Sequence, residues 1–275
     1  MTSVKSNEIF ISGASGWLGK ELISLISESK LTNFSTNDLR LFSSSGRSIK
    51  LINSKEYSTS PFELDQFEIV PKNLEGFIHL AFLTRDKLKT LNFNDFIRIN
   101  LELISKACQI IERNRPKWIV VVSSGAIFDR ESGEIESDIE KNPYGFCKRI
   151  EELLLADAAK SVGANIVIGR LWGASGEQMP PNPEYALSDF IESARLKNEI
   201  QIKFSDWAAS YIKRLKYHQS QKIVKENKTE KYIIISIQLR LIHEKVKGED
   251  ILKRNKALAF LLGRFGNFAT IEGIK

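Results

Sequence analysis

The sequence predicts an α/β fold, a doubly wound parallel sheet. Three observations carry that prediction. Apolar runs rich in β-branched residues, such as Trp118-Ile-Val-Val-Val122, alternate with amphipathic stretches over residues 8–196. The first such run leads at once into a glycine turn and then a helical pattern. The chain has 275 residues, enough for one large α/β domain and a smaller lobe. The expected division is a domain over 1–175 and a small, atypical C-terminal lobe over 176–275.

Composition narrows the class. The 42% hydrophobic content is that of a globular protein. No apolar run reaches membrane-spanning length, and Met1 to Glu8 has no signal-peptide core. Two cysteines, Cys108 and Cys147, suit free thiols in a reducing cytoplasm. The three histidines form no cluster with metal-ligand spacing, so no metal site is expected. The net charge of +6 is uneven, since residues 201–275 hold 16 Lys/Arg and 7 Asp/Glu. A basic tail without an RNA-recognition or helix-turn-helix signature reads as a solvated surface facing a phosphate-bearing substrate, not as a nucleic-acid site.

The elements follow in order. Glu8 to Ser12 reads as a short buried strand. Gly13-Ala-Ser-Gly16-Trp-Leu-Gly19 turns the chain into a helix over Lys20 to Ser29. Glycines let a backbone approach a pyrophosphate, and the helix N-terminus supplies free N–H groups. Trp17 falls inside this loop, near any bound dinucleotide. Leu39 to Phe42 is the second strand. Where a ribose-binding acid often ends that strand, the chain reads Ser43-Ser44-Ser45-Gly46-Arg47. Serines and an arginine accept a 2′-phosphate that a carboxylate would repel, so NADP is favoured over NAD.

Residues 53–75 read as irregular, with a short strand at Phe67 to Val70. Gly76 to Phe82 reads as a buried strand with His79 in its middle, a core histidine rather than a catalyst. Phe93 to Arg113 has helical periodicity, and Asn100 lies on its apolar side, where an amide needs hydrogen bonds. Lys117 to Val122 is a central strand ending in Ser123 and Ser124, at the end of the sheet where ligands bind. Asn165 to Leu171 is a further strand, and Tyr185 to Leu196 a helix.

Residues 142–148, Asn-Pro-Tyr-Gly-Phe-Cys-Lys, open the helix before that strand, which runs to about Ser161. Pro143 suits a first helical turn. Tyr144 and Lys148 are four apart and share a face. A phenol titrates near pH ~10. A neighbouring ammonium lowers that value, so the pair can build a proton-transfer group.

Together these residues resemble the extended short-chain dehydrogenase/reductase family, in its NAD(P)-dependent epimerase/dehydratase branch. The matches are Gly13-x-x-Gly16-x-x-Gly19, His79-Leu-Ala81, Asn100, Ser123-Ser124-Gly125, Tyr144-x-x-x-Lys148 and Arg170-Leu171, in the family's order over about residues 8–200. The resemblance implies a Rossmann-like domain and assigns roles. Tyr144 is the acid/base, Lys148 lowers its pKa and holds the nicotinamide ribose, and Ser124 binds the reacting oxygen. Asn100 belongs to the supporting network. Gly13, Ser15, Gly16, Trp17, Leu18, Gly19, Ser44, Arg47, Leu80 and Ala81, with Tyr144 and Lys148, line the dinucleotide. The implied substrate is a sugar nucleotide and the implied assembly a homodimer through the helices near 93–113 and 143–161.

Departures qualify the resemblance. Gly125-Ala126 replaces the Asp-Glu pair of many sugar-nucleotide dehydratases, which disfavours dehydration. Gly173 replaces an Asn that contacts substrate. Between Gly176 and Gly248 there is no glycine, and 206–247 lacks the usual substrate-domain turns. That stretch is either remodelled or read out of frame, which translating the other frames would decide. Three readings follow: an epimerase or reductase, a dinucleotide sensor without turnover, and a product with a damaged substrate lobe.

Overall fold

A computed structural model describes residues 8–29, 31, 34–65, 73–129, 132–171 and 178–179, and the backbone of 232–237. The strand expected at 67–70, the helix at 185–196, Gly173 and nearly all of 206–247 lie outside the described residues. The chain divides into two compact units, Met1–Leu171 with Val224–Ser236, and Trp172–Ile223 with Ile237–Lys275. The first unit carries the elements that follow, save Ile237 at the end of the last strand.

β1 (Ile9–Ser12) passes through the glycine turn into α1 (Trp17–Ser27). A 3-10 turn, Thr36–Asp38, leads into β2 (Leu39–Ser43). β3 (Ser48–Lys50) and β4 (Glu56–Ser58) form an antiparallel hairpin, and β5 (Ser60–Pro61) returns to the main sheet. This hairpin occupies part of the stretch expected to be irregular. Its strands are short and largely polar, so their pattern is too weak to read. β6 (Gly76–His79), α2 (Phe93–Asn114), β7 (Trp118–Ser124), α3 (Pro143–Val162) and β8 (Asn165–Leu171) complete the alternation. β9 is Tyr232–Ile237.

The sheet order is β5-β2-β1-β6-β7-β8-β9. Strands β1, β2, β5, β6, β7 and β8 pair in parallel. The chain runs outward from β1 through β2 to β5, then returns to β1's other side as β6. That reversal opens a crevice beyond the C-terminal ends of β1 and β6, where open α/β sheets bind ligands. The doubly wound expectation therefore holds, and the two faces are covered separately. Ile9, Ile11, Leu41 and Ile78 pack with Ile23 of α1 and Ile49 of the hairpin. Phe10, Phe77, Ile119, Val121, Ile166 and Ile168 pack with Ala107, Ile110 and Ile111 of α2 and Leu155, Ala158 and Ala159 of α3. Each fully buried Ile or Phe contributes roughly 1.5–3 kcal/mol by area.

Local signals set the ends. Asn92 Oδ1 accepts the N–H of Asp95 at 2.9 Å and starts α2. Asn142 Oδ1 accepts the N–H of Gly145 at 3.0 Å, and Pro143 fills the first turn of α3. β6 stops at His79, short of the run expected to Phe82. There the Leu80 N–H is shared between the Ser12 carbonyl of β1 and Ser12 Oγ, both at 3.2 Å, which ends the regular ladder. α1 starts at Trp17, three residues before the helix expected from Lys20, because its glycines hide the pattern.

Candidate active site

The site begins in the β1–α1 turn. Gly13 has φ +71°, and a Cβ there would lie 2.6–2.7 Å from the backbone of Leu80 and Ala81. A Cβ on Gly19 would lie 2.5 Å from the Gly13 carbonyl oxygen. Only glycine allows this approach. It sets Gly13 against Leu80 and Ala81, with Gly16 and Gly19 close to the Gly13 carbonyl. Ser15 and Leu18 are half-buried on the same turn, and Trp17 opens the helix itself rather than sitting in the loop before it. α1 has no side-chain cap and no acid in its first turn. Its N-terminal N–H groups and positive dipole end thus suit an anion, and the turn fits a dinucleotide pyrophosphate. At the end of β2, the Arg47 guanidinium donates to Ser44 Oγ at 3.0 Å, and both residues are exposed.

The second part lies beyond β7. Ser124 Oγ accepts the Ala126 N–H at 3.1 Å and neighbours the Tyr144 phenol, whose pKa it acts to lower. Phe82 packs edge-on to the Tyr144 ring at 5.7 Å between centroids, and the Arg85 guanidinium lies 5.8 Å from that ring's centre. Asn100 is fully buried; its Oδ1 accepts the Leu83 N–H at 2.8 Å and so holds the segment that carries Phe82. Its Nδ2 has no hydrogen-bond partner among the described residues.

Lys148 is buried on the same face of α3 as Tyr144. Its Nζ donates to the Val122 carbonyl and to Glu151 Oε2, both at 2.8 Å, and lies 3.7 Å from the centre of the Phe82 ring. The Tyr144 phenol is pushed up to about 12, chiefly by burial. The Ser124 hydroxyl opposes that, the Glu151 carboxylate adds to it, and Arg85 is the cation that pulls it down. Lys148 is not among these groups, and its ammonium pairs with Glu151 at 2.8 Å. Burial likewise lowers the pKa of Lys148, against the pull of Glu151.

Three features escaped the sequence reading. Phe82 and Arg85 carry no motif signal of their own. Glu151 had one: it is three residues beyond Lys148 and seven beyond Tyr144, on the same face of α3. A cluster around Glu152 had another in its spacing to Arg149. Glu152 accepts from Ser123 Oγ at 2.6 Å, from Arg149 at 2.9 Å, and from Arg170 at 2.8 and 2.7 Å. Ser123 is thus committed to structure, and Ser124 faces Tyr144. His79 is fully buried with Nδ1 2.7 Å from Ser12 Oγ, in keeping with a core histidine. Among the described residues no cluster of His, Cys, Asp and Glu could hold a metal, and no helix is long and apolar enough to cross a membrane.

Comparison with known proteins bears on this geometry. A family model described as "NAD dependent epimerase/dehydratase family" matches residues 9–206. No curated protein matches the chain. Among solved structures, DesIV, a dTDP-glucose 4,6-dehydratase from Streptomyces venezuelae with NAD and TYD bound, is similar at 13% identity and TM-score 0.56, over 90% of this chain and 80% of that one. A UDP-N-acetylglucosamine 4-epimerase from Methanobrevibacter ruminantium M1, in complex with UDP-N-acetylmuramic acid, is similar at 20% identity and TM-score 0.54, over 74% of this chain and 66% of that one. MoeE5, in complex with UDP-glucose and NAD, is similar at 19% identity and TM-score 0.51, over 70% of this chain and 62% of that one. The chain thus spans less than two thirds of the last two, and these likenesses show the Rossmann-like fold alone.

Proposed function

Because the chain belongs to the NAD dependent epimerase/dehydratase family, we propose that it is an NAD(P)-dependent epimerase or reductase acting on a sugar nucleotide, with Tyr144 as acid/base. The observation that carries this reading is the neighbouring Ser124 hydroxyl and Tyr144 phenol beyond β7, the first acting to lower the second's pKa, in the same sheet whose glycine turn fits a pyrophosphate. Ser124 and the Tyr144 phenol share the reacting oxygen, so a proton passes between phenol and substrate as that oxygen interconverts between hydroxyl and carbonyl. The bound nicotinamide supplies the redox chemistry. Gly125-Ala126, in place of an acidic pair, argues against dehydration. MoeE5 is in complex with UDP-glucose and DesIV is a dTDP-glucose 4,6-dehydratase, which supports a nucleotide-linked substrate.

NADP is the preferred dinucleotide. Ser44 and Arg47 offer a hydroxyl and a guanidinium at the end of β2, without a carboxylate. The MoeE5 and DesIV structures hold NAD, so the preference rests on these two residues. The test is a thermal-melt series with NADP, NADPH, NAD and NADH, after stripping any cofactor that copurifies. A ligand at about 100 times its Kd stabilises by about 2.7 kcal/mol. The phosphorylated pair is expected to raise the midpoint more. Arg47→Ala should weaken NADP binding about tenfold and leave NAD binding unchanged, as for one charge-assisted contact. A shift with NAD and NADH alone overturns the NADP reading, and no shift with any dinucleotide overturns the enzyme reading.

The raised phenol favours a second reading, a dinucleotide sensor without turnover. Turnover of any nucleotide-linked sugar by the wild type excludes it.

A homodimer through α2 and α3 accompanies the first reading. Phe93 and Leu101 on α2, and Leu153 and Leu154 on α3, are exposed at 39%, 38%, 53% and 47%. Sedimentation should show a dimer, and Leu153→Glu with Leu154→Glu should yield a monomer of unchanged cofactor affinity. A monomeric wild type sinks this assignment.

A further inference from the structure

Two carboxylates, Glu151 and Glu152, stand side by side on α3 with side chains 0% and 1% exposed. Burying adjacent acids is costly unless each finds donors. Glu152 has three, on α3, β7 and β8, and ties those elements together. Glu151 is placed differently. Its Oε2 accepts from Lys148, and its Oε1 lies 3.3 Å from His79 Nε2. Neither of these last two atoms has a hydrogen bond among the described residues, so the contact is electrostatic.

Hydrogen-bond accounting assigns the histidine's tautomer. Ser12 Oγ accepts the N–H groups of Leu80 at 3.2 Å and Ala81 at 3.4 Å. Its single O–H is left to donate to His79 Nδ1 at 2.7 Å. His79 then carries its proton on Nε2, toward Glu151. The carboxylate therefore faces an ammonium on one side and an N–H on the other.

Lys148 has three N–H groups. The Val122 carbonyl takes one and Glu151 a second. The geometry points to Glu151 as the positioning residue of this site: with His79 behind it, its carboxylate keeps the Lys148 ammonium charged in a dry pocket and fixes one of its N–H groups while the Val122 carbonyl fixes another, so that the third, beside the Phe82 ring, is the one a ribose hydroxyl takes over from that ring. The ribose clause rests on the dinucleotide reading above; the charge-holding clause does not.

The groups acting directly on Lys148 are Glu151, Glu152 and Cys147 on its own helix and the Val122 carbonyl on β7. Behind them, His79 on β6 meets Glu151, and Ser123 on β7 and Arg170 on β8 bind Glu152. Phe82 and Arg85 come from the segment after β6. Glu152 is neutralised by Arg149 and Arg170, so Glu151 is the carboxylate left to hold the ammonium. Burial disfavours the charged lysine and Glu151 restores it. Without that carboxylate, Lys148 should lose its proton at a lower pH.

The test is an NMR titration of the lysine side-chain nitrogens in full-length cofactor-free protein, with Lys148→Met to assign the resonance. Glu151→Gln should lower the Lys148 midpoint by at least one pH unit, a tenfold loss of proton affinity. Glu151→Asp, which keeps the charge but draws it back, should lower it less and serves if the Gln variant does not fold. In parallel, dinucleotide affinity is measured against pH. Wild type should vary little across neutral pH. Glu151→Gln should match it at low pH and fall about 10- to 100-fold behind as Lys148 deprotonates, the loss of one charge-assisted bond. An unmoved Lys148 midpoint in both variants overturns the inference, as does a pH-independent loss of affinity. A shifted midpoint in a protein that binds no dinucleotide supports Glu151's hold on Lys148 and overturns the dinucleotide reading instead.

Discussion

Tyr144→Phe should lower turnover by about 10²–10⁴-fold, the range for loss of a positioned acid/base. It should leave the melting midpoint and the dinucleotide affinity unchanged. The substitution removes one oxygen and keeps the ring, so the edge contact with Phe82 and the approach of Arg85 survive. Ser124 Oγ keeps the Ala126 N–H as donor. The pH profile carries a sign. With the phenol pushed up to about 12, Tyr144 is protonated at neutral pH and ready as an acid. Carbonyl reduction, which consumes that proton, should be nearly flat over neutral pH. Alcohol oxidation, which needs the phenolate, should climb as pH rises toward the phenol's pKa. The check is initial rates in both directions on wild type and variant. Equal rates for the two proteins would move the acid/base role off Tyr144.

Glu152→Ala should cost about 3–5 kcal/mol, the range for breaking a buried charged cluster. Arg170, 8% exposed, and Ser123, 2% exposed, would both lose their acceptor. At roughly 2–4 °C per kcal/mol for a domain this size, the melting midpoint should fall by about 10 °C. Burial alone would raise the Glu152 carboxyl, but hydrogen bonds and charge from Arg170, with Ser123 and Arg149, outweigh it and hold it below its ordinary 4.5. A carboxyl depressed in the folded state contributes stability above its unfolded pKa and loses it as pH falls through the folded value. The gap between wild type and variant should therefore be full at neutral pH and shrink below about pH 4.5. Urea melts at neutral and acid pH measure it. A neutral-pH gap under about 1 kcal/mol would place the cluster among surface ion pairs.

The sequence by itself determined the alternation of strands and helices, because burial on both faces of a parallel sheet writes continuous apolar runs such as Trp118 to Val122. It also determined the glycine turn and the capped start of α3, since φ, the missing Cβ and the Asn142 cap are local properties. It marked Ser124 and Tyr144 as chemistry-bearing, and the fold makes them neighbours, the serine acting on the phenol's pKa. The β3–β4 hairpin stayed hidden because strands of three residues leave too little periodicity.

Only the tertiary structure decided what Lys148 faces. Helical spacing puts Tyr144, Lys148 and Glu151 on one face, and that much is legible in one dimension. Which partner the ammonium takes depends on β7 and β6 arriving beside it, with the Val122 carbonyl, His79 and Ser12 drawn from distant parts of the chain. In a dry interior the nearest opposite charge wins. For Lys148 that charge is Glu151, and the phenol four residues back is left to burial, Ser124 and Arg85.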